Sequence, residues 1–231
     1  MTQSWHDLLF AHWPVDAGVL REKLPADLAL DLFEGQAWLG IVPFHMTNVA
    51  PRGVPWMPWV SAFPELNVRT YVTMGGKPGV FFFSLDAASA LAVAAARLLF
   101  NLPYHSATMA VETDEGDVRY RSCRRTPREG AAEFVATYGP VGAPRSAQRG
   151  TLEYFLTERY CLFAVNSAGR IRRLEIHHLP WPLQPAEAEI RVNTMADASG
   201  IRLPAHAPLL HFAKRLDVVA WPMRTVGTLP R

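Results

Sequence analysis

Two segments between residues 64 and 85 carry a β-type alternation and are joined by a glycine-rich turn. In the first segment, PELNVRTYV (64–72), one face carries Leu66, Val68, Thr70 and Val72, and the other carries Glu65, Asn67, Arg69 and Tyr71. The turn GGKPG follows, and VFFFSL (80–85) continues as a second apolar run. Apolar runs on either side of a short glycine turn are typical of hairpins. We therefore predict that strand 64–72 is antiparallel to its successor.

Hairpin patterns recur along most of the chain. Further strand pairs are predicted at 28–33 with 36–46, at 105–113 with 118–125, and at 161–166 with 170–179. Single strands are predicted at 132–139 and, as the last strand of the chain, at 209–223. The stretch 47–64 is rich in proline and tryptophan, and we expect it to be an ordered loop.

Few segments have helical spacing. A short helix is predicted at 16–25, and a longer one runs from Asp86, as its N-cap, to about residue 100. Segment 151–160 could alternate as a strand, but its apolar spacing and the N-cap candidate Thr151 favour a helix. The excess of hairpins over helices predicts an α+β fold, mostly antiparallel β, curved or closed into a barrel with a few flanking helices.

Composition excludes several classes of protein. The chain has 231 residues, 49% of them hydrophobic, which is enough for a substantial core. A net charge of +2 without a basic motif interleaved with aromatics argues against a nucleic-acid partner. Asp86 and Arg97 interrupt the most apolar segment, 80–100, so no membrane partner is expected. Cys123 and Cys161 make no disulfide framework and the start lacks a signal-peptide pattern, so we expect a cytoplasmic protein.

No motif points to a metal or a cofactor. The sequence has eight histidines, but it contains neither an HExxH motif nor a CxxC motif. His177 and His178 are adjacent and would point to opposite faces of a strand, and His206 and His211 lack a third ligand. Phosphate loops, dinucleotide fingerprints and nucleophile elbows do not occur in the sequence. We therefore expect neither a metal nor a cofactor.

Covalent chemistry through an amine would need one of only three lysines, Lys23, Lys77 and Lys214. Lys23 falls on a predicted surface helix and Lys77 in a predicted turn. Lys214, on the last predicted strand, is the one expected to be capable of burial.

The polar side of strand 64–72 allows two interpretations, a solvated surface or the wall of a pocket. Arg69 lies four positions after Glu65, which is roughly 13 Å at about 3.3 Å per residue, so the two charges cannot neutralise each other along the strand. On a solvated surface this hardly matters. Inside a barrel each charge would need a partner from another element, because an unpaired buried charge is strongly unfavourable. Alternation alone leaves both interpretations open.

Several stretches, in chain order, resemble the YqjF-like family of uncharacterised bacterial proteins. They are VLREKLPADLALDLFEGQAWLGIVPFHM, FPELNVRTYV, PGVFFFSLDA, AARLLFNLPY and GTLEYFLTERYCLF. That family in turn resembles acetoacetate decarboxylase, whose fold is a cone-shaped antiparallel β-barrel with outer helices and an interior pocket. The resemblance implies one domain over residues 1–231, and it favours the pocket interpretation of the polar side of strand 64–72.

The resemblance also implies positions for reactive residues. Glu65, in FPE, stands where the decarboxylases have a glutamate after an aromatic residue just before a strand. The decarboxylases carry their Schiff-base lysine in a Pro-Lys-Lys segment, but here that place reads LPYH, with Tyr104 and His105. Neither side chain can form an iminium, which requires a primary amine. The resemblance therefore implies the fold and the pocket, but not Schiff-base decarboxylation.

Two functions follow as hypotheses. The first is an enzyme, active or degenerate, that binds a small polar or anionic metabolite in the barrel interior. Its predicted acid/base residues are Glu65, His105 and Tyr104. Its predicted ligand-binding residues are Arg69, Asn67, Tyr71, Arg159 and Glu153. A guanidinium such as that of Arg69 can hold a carboxylate or enolate oxygen in a bidentate way.

The second function is a non-catalytic ligand-binding or interaction module on an old enzyme fold. In that case the tryptophans of VPWMPWV (54–60) would form a docking surface. A further alternative for Glu65 and Arg69 is a polar network that fixes the barrel register without chemistry. The small molecule is the one partner predicted, and association of identical copies stays open.

Overall fold

The computed structural model describes residues 1–50, 62–89, 93, 102–124, 131–166 and 168–228. One sheet takes in thirteen strands of these residues. The strands are β1 (Thr2–Val15), β2 (Ala29–Leu30), β3 (Ala37–Ala50), β4 (Phe63–Met74), β5 (Lys77–Ala87), β6 (Tyr104–Asp114), β7 (Asp117–Arg124), β8 (Glu133–Pro140), β9 (Cys161–Val165), β10 (Arg170–His177), β11 (Gln184–Asn193), β12 (Leu209–Ala220) and β13 (Arg224–Thr228). The helices are short: α1 (Ala17–Arg21), α2 (Leu152–Thr157) and a 3₁₀ turn (Asp197–Ser199). Among the described residues, no helix has the length and apolar character that crossing a bilayer would require.

The sheet closes on itself twice. Its strand order is β13-β10-β9-β5-β6-β7-β8-β11-β12-β1-β3-β4-β2, and two further pairings, β4 with β5 and β10 with β12, join distant parts of it. The first ring runs through β1, β3, β4, β5, β9, β10 and β12, and the second through β1, β3, β4, β5, β6, β7, β8, β11 and β12. Most pairings are antiparallel, although β5 is parallel to both β6 and β9. The predicted fold, mostly antiparallel and barrel-like, is confirmed.

The strands β12, β1, β3, β4 and β5 form a wall that both rings share. Because side chains alternate along a strand, this wall presents one set of them to each ring. Leu66 and Val68 pack inside the second ring with Tyr120 and Phe134. The opposite face of β4 carries Glu65, Asn67, Arg69 and Tyr71 and packs inside the first ring. We call these two sides of β4 the Leu66 face and the Glu65 face.

The outer edge of β5 is divided between two strands. Val80 and Phe81 pair with β9, whereas Leu85 to Ala87 pair with β6. Residues 82–84 lie between these pairings, where β6 and β9 diverge, and we call this place the fork. A cleft of about 410 Å³ opens at the fork. It is lined by residues 81–83, 102–103 and 163–165.

Both described α-helices begin where the sequence predicts them. The Asp16 side chain accepts a hydrogen bond from the Val19 N–H at 3.1 Å, and Thr151 accepts one from the Tyr154 N–H at 3.3 Å. Each cap satisfies an N–H group that has no partner within the helix. The apolar side of α2 packs against Tyr71, so this helix lies over one end of the Glu65 face.

Segment 28–46 does not form the single hairpin that the sequence predicts. Phe33 and Gln36 form an isolated bridge, but β2 pairs with β4, at Ala29 with Thr73 and Leu30 with Val72. β3 lies between β1 and β4, so both of its edges are occupied. The predicted pairing is wrong because longer partner strands, distant in sequence, occupy both edges of β3.

Three other assignments also change. Asp86 lies within β5 instead of capping a helix, because its carboxylate pairs with Arg124. The predicted last strand ends at Ala220 as β12, and β13 follows it. The strands β1 and β11 were not predicted from the sequence. Most of the predicted loop 47–64 lies outside the described residues, and its described ends belong to β3 and β4. Most of the predicted helix after Asp86 also lies outside them, apart from residues 87–89 and Val93, which is helical.

Candidate functional site

Glu65 is a carboxylic acid enclosed in the first ring, with 3% of its surface exposed. β6 begins beside it, and the Tyr104 hydroxyl donates a hydrogen bond to Glu65 Oε2 at 2.7 Å. Burial raises the pKa of Glu65 from its ordinary value of 4.5 to about 7, against the Tyr104 hydrogen bond and with help from the charge of Asp86. Glu65 can therefore hold or release a proton near neutral pH, which suits general acid/base chemistry.

Glu65 is supported from the other side of the wall. Tyr120 donates a hydrogen bond at 2.7 Å to the backbone carbonyl of Glu65, from inside the second ring. Arg124 Nη2 lies 2.9 Å from Asp86 Oδ1, and both side chains are almost fully buried. A guanidinium and a carboxylate that are buried together compensate each other's desolvation. The position of Glu65 is thus set by β7 as well as by its own strand.

Arg69 and Tyr71 form a second polar group on the Glu65 face. The Tyr71 hydroxyl lies 2.6 Å from His12 Nε2 and 2.8 Å from the Leu156 carbonyl, which also accepts from Arg69 at 3.3 Å. The Arg69 guanidinium lies 5.4 Å from the centre of the Phe10 ring. Such aromatic contacts stabilise a cation that has been moved out of water.

His12 is a neutral member of this group. Burial, then Arg69, then His211 lower the pKa of His12 well below its ordinary value. Because a carbonyl can only accept, Tyr71 donates to Leu156 and receives the Nε2–H of His12. This assignment leaves the lone pair of His12 Nδ1 without a partner. Gly40 permits the arrangement, since a Cβ there would lie 3.1 Å from His12 and 3.4 Å from Arg69 Cγ.

Buried polar atoms without a hydrogen-bond partner collect on this side of the wall. In the part of the chain that the structure describes they include His12 Nδ1, Trp38 Nε1, Asn67 Oδ1, Arg69 Nε and His211 Nδ1. Buried polar atoms in proteins usually have partners, so an unpaired group calls for a functional explanation or for a missing partner. Asn67 lies between Glu65 and Arg69 on the strand, and its unpaired oxygen faces the same interior.

The motif LTERY holds α2 in place. Arg159 Nη1 pairs with Asp31 at 2.5 Å, and its guanidinium lies 4.2 Å from the Phe155 ring centre and 5.0 Å from that of Tyr71. Glu158 accepts hydrogen bonds from the backbone N–H of Trp181 at 2.9 Å and from the Tyr160 hydroxyl. These contacts fix the carbonyl of Leu156 beside Arg69. Arg159 therefore supports the Arg69 group from behind.

The structure brings the predicted site residues together in two groups. Glu65 contacts Tyr104 in the first group, and Arg69, Tyr71 and Arg159 form the second, with Asn67 between them. His105 follows Tyr104 on β6 and is paired in register with Asp86, so alternation directs it to the second ring, away from the Glu65 face. The fold therefore does not bring His105 together with Glu65 and Arg69, as a shared site for all three would require.

Glu153 lies at the margin of the site. Its Oε1 pairs with exposed Arg145 at 2.5 Å and lies 3.4 Å from His211 Nε2. His12, Asp31 and Arg124 have no place in the sequence-based prediction. Their side chains reach the site or its supports through pairings of strands that are far apart in the chain, and no local motif indicates such pairings.

All three lysines lie on the surface. Lys23 is exposed, Lys77 pairs with Glu175 at 2.7 Å with 38% of its side chain exposed, and Lys214 pairs with Asp7 at 2.6 Å with 63% exposed. The expectation that Lys214 could be buried is wrong, because its position on β12 faces solvent. No group of three metal-ligating histidine, cysteine, aspartate or glutamate side chains occurs within the described ranges.

Comparison with solved structures defines the class of fold. The acetoacetate decarboxylase of Legionella pneumophila matches with a TM-score of 0.68 at 14% identity, covering 98% of this chain and 87% of that one. An acetoacetate decarboxylase-like enzyme from Sphingomonas wittichii matches at 0.65 and 15% identity, covering 99% and 94%. The enduracididine biosynthesis enzyme MppR, complexed with pyruvate, matches at 0.67 and 11% identity, covering 99% and 91%. The fold is that of the acetoacetate decarboxylases.

Sequence comparison then gives the family. The model of DUF2071, described as an uncharacterized conserved protein, matches residues 2–217. The uncharacterized protein YqjF of Bacillus subtilis is 51% identical over 224 residues, which cover 97% of this chain and 91% of that protein. The chain belongs to the DUF2071 family, as its resemblance to YqjF-like proteins implies.

Proposed function

We infer that the interior of the first ring binds a small carboxylate or enolate anion and transfers a proton to or from it. Arg69 would hold the anionic oxygen, Glu65 would take and return the proton, and Tyr104 would orient the Glu65 carboxyl. The observation that carries this inference is the buried Glu65, whose pKa is raised to about 7, on the same strand face as a cation. Buried acids with raised pKa values are candidates for functional groups.

The spacing along β4 suits a small ligand. Glu65 and Arg69 are separated by roughly 13 Å of strand, and both side chains lie on the Glu65 face. A molecule of a few heavy atoms would lie between them, over Asn67, whose buried Oδ1 is without a partner. Such a ligand would meet the charged and the unpaired groups together.

Schiff-base chemistry is not part of this proposal. It requires an amine in the site, and the three lysines of the chain are all on the surface. Proton transfer needs only a base near the reacting carbon and a cation near the developing negative oxygen. Both are available on the Glu65 face.

The test uses pyruvate, because MppR of the same fold was solved in complex with that acid. In D₂O, the Glu65 carboxylate would remove a methyl proton, Arg69 would hold the enolate oxygen, and a deuteron would return to the carbon. Proton NMR would follow loss of the methyl signal. We expect exchange to accelerate as the pH rises through about 7 and then level off, because the carboxylate is the active form.

Three variants interpret the result. Glu65→Gln should slow exchange at least about a hundredfold while binding persists. Arg69→Met should weaken both pyruvate binding and proton exchange. Arg191→Met, on the exposed side of β11, should change neither binding nor exchange. Pyruvate exchange that is equal in wild type and Glu65→Gln would refute the acid/base role.

The second candidate function is a non-catalytic binding module. Alternation on β6 directs His105 away from Glu65, so one of the predicted acid/base groups does not reach Glu65. This absence favours binding without catalysis. A thermal shift with pyruvate that depends on Arg69, without any exchange, would support this candidate over the first.

A further inference from the structure

His211 is a buried histidine of β12 to which the proposed function gives no role. Only 4% of its surface is exposed. It is the register partner of Phe10 on β1, and residues paired in this way project from the same face of a sheet. The Arg69 guanidinium lies 5.4 Å from the centre of the same Phe10 ring. His211 therefore lies inside the first ring, beside a residue that Arg69 contacts.

His12 gives a second connection between His211 and Arg69. Burial lowers the pKa of His12 most, and Arg69 and then His211 lower it further, so both lie within electrostatic reach of one imidazole. His12, Gly40 and Arg69 are aligned in register across β1, β3 and β4. Because Gly40 has no side chain, the His12 ring and the Arg69 side chain both approach its Cα. The two histidines and the guanidinium therefore share one part of the interior.

Glu153 sets the tautomer of His211. Its Oε1 lies 3.4 Å from His211 Nε2, and Arg145 holds the same oxygen from the outside at 2.5 Å. Burial lowers the pKa of His211 despite this carboxylate, so the imidazole is neutral at neutral pH. Since a carboxylate can only accept, His211 donates its Nε2–H to Glu153. The other ring nitrogen, Nδ1, then carries a lone pair, and it has no partner among the described residues.

Unpaired hydrogen-bond acceptors accompany Arg69 in this part of the interior. Within the described ranges they are His12 Nδ1, Asn67 Oδ1 and His211 Nδ1. A carboxylate has only acceptors to offer, so it satisfies Arg69 but none of these three atoms. Buried acceptors are usually paired with a donor, and a hydroxyl is the simplest donor that a small acid can carry. The interior is therefore complementary to a molecule with both groups.

We propose that the anion bound at Arg69 is a small hydroxy acid, whose hydroxyl donates a hydrogen bond to His211 Nδ1. Glu153 is the positioning residue that keeps this nitrogen an acceptor. The inference rests on the proposed function and gives its ligand a chemical class. An acid without the hydroxyl would leave Nδ1 unpaired, and a neutral alcohol would leave Arg69 without its anion.

Three acids with one carbon skeleton test the hydroxyl. Lactate has a hydroxyl on the carbon beside its carboxylate, propionate has a hydrogen there, and 2-fluoropropionate has a fluorine that cannot donate. Both enantiomers of the two substituted acids are titrated against the full chain by calorimetry. We expect one enantiomer of lactate to bind at least about tenfold more tightly than propionate or 2-fluoropropionate, because a site with an unpaired acceptor rejects ligands that lack the donor.

Two variants of His211 locate the acceptor. His211→Phe keeps a ring but has no Nδ1, and it should bind lactate and propionate equally. His211→Asn has an amide oxygen that can take the place of Nδ1, so part of the preference for lactate should return. His206→Phe, at an exposed histidine outside the strands, is the matched control and should keep the full preference.

Glu153→Ala tests the tautomer. In the wild type, nitrogen NMR of the imidazole should show His211 protonated at Nε2, and lactate but not propionate should shift the Nδ1 resonance. Without Glu153 the proton should distribute over both nitrogens, and the affinity for lactate should fall while that for propionate stays the same. The wild-type spectrum decides the point even where His211→Phe does not fold.

The outcomes separate this inference from the function on which it rests. If the three acids bind equally and all depend on Arg69, the hydroxyl site is refuted and the anion site stands. A lactate preference that persists in His211→Phe, or a wild-type His211 protonated at Nδ1, would also overturn the hydroxyl site. If no acid binds and Arg69→Met behaves as wild type, the anion site fails, and this inference fails with it.

Discussion

The two faces of β4 differ in how their buried charges are paired. On the second-ring side, the charges of Asp86 and Arg124 are buried as a pair at 2.9 Å, while the neutral hydroxyls of Ser84 and Ser122 lack partners among the described residues. On the Glu65 face, Glu65 and Asn67 are buried and Arg69 is half-buried, and atoms of Asn67 and Arg69 lack partners among the described residues. A compensated pair adds specificity to a core, whereas uncompensated groups cost stability and persist where they serve a function.

The comparison also explains why the two sides are linked. Tyr120 reaches from the second ring to the carbonyl of Glu65, and Asp86 contributes to the raised pKa of Glu65 across the wall. The side that carries the paired charges therefore helps to position Glu65 and to raise its pKa. Variants of each face should separate stability from binding.

Arg124→Met should have the largest effect. It leaves the carboxylate of Asp86 buried without its guanidinium, which we expect to lower the free energy of unfolding by about 3–5 kcal/mol. Urea unfolding followed by tryptophan fluorescence measures this loss. The control is Arg121→Met on the same strand, whose exposed side chain should contribute less than about 1 kcal/mol. Equal losses in the two variants would mean that the buried pair is not a structural anchor.

Glu65→Gln should remove a pH dependence of stability. The folded protein holds the Glu65 proton more tightly than the unfolded chain does, so the free energy of unfolding falls as pH rises from 4.5 to about 7. The size of this loss is about 3 kcal/mol. Above that window the loss is complete, and the Gln variant should not show it. Denaturant unfolding from pH 4.5 to 8 compares the two proteins, and parallel curves would contradict the raised pKa.

Tyr71→Phe should have the smallest effect of the three. It removes the hydroxyl that joins His12 to the Leu156 carbonyl, and the buried His12 N–H loses its acceptor, at a cost of about 1–2 kcal/mol. Tyr138→Phe, in the second ring, removes a single bond to the Asp7 carbonyl and should cost less. Chemical unfolding of both variants gives the ranking. A larger loss for Tyr138→Phe would show that the His12 group is not coupled to α2.

Local sequence patterns predicted much of this fold. The hairpins at 64–85, 105–125 and 161–179 are confirmed, because glycine turns and alternation are encoded in neighbouring residues. The cap at Thr151 is confirmed for the same reason. The pairing of β2 with β4 and the placement of β1 beside β12 were beyond such patterns, since they depend on which distant edges remain free.

The candidate site divides in the same way. Alternation on β4 placed Glu65, Asn67, Arg69 and Tyr71 on one face, and Tyr104 and His105 at the place of the Schiff-base lysine already argued against that chemistry. The alternation pattern could not show that this face is enclosed, that Tyr104 contacts Glu65, or that His105 points to the second ring. Contacts with His12, Asp31 and Arg124 also depend on strands and loops far away in the chain.

The sequence by itself determined which side chains share a strand face, because a pleated strand alternates regardless of what surrounds it. Only the tertiary structure decided which face is buried, and with it the pKa of Glu65 and the partners of Arg69. Burial and pairing are properties of the closed rings, which form when strands from both ends of the chain meet. The same alternating stretch could otherwise have been the solvated surface of an open sheet.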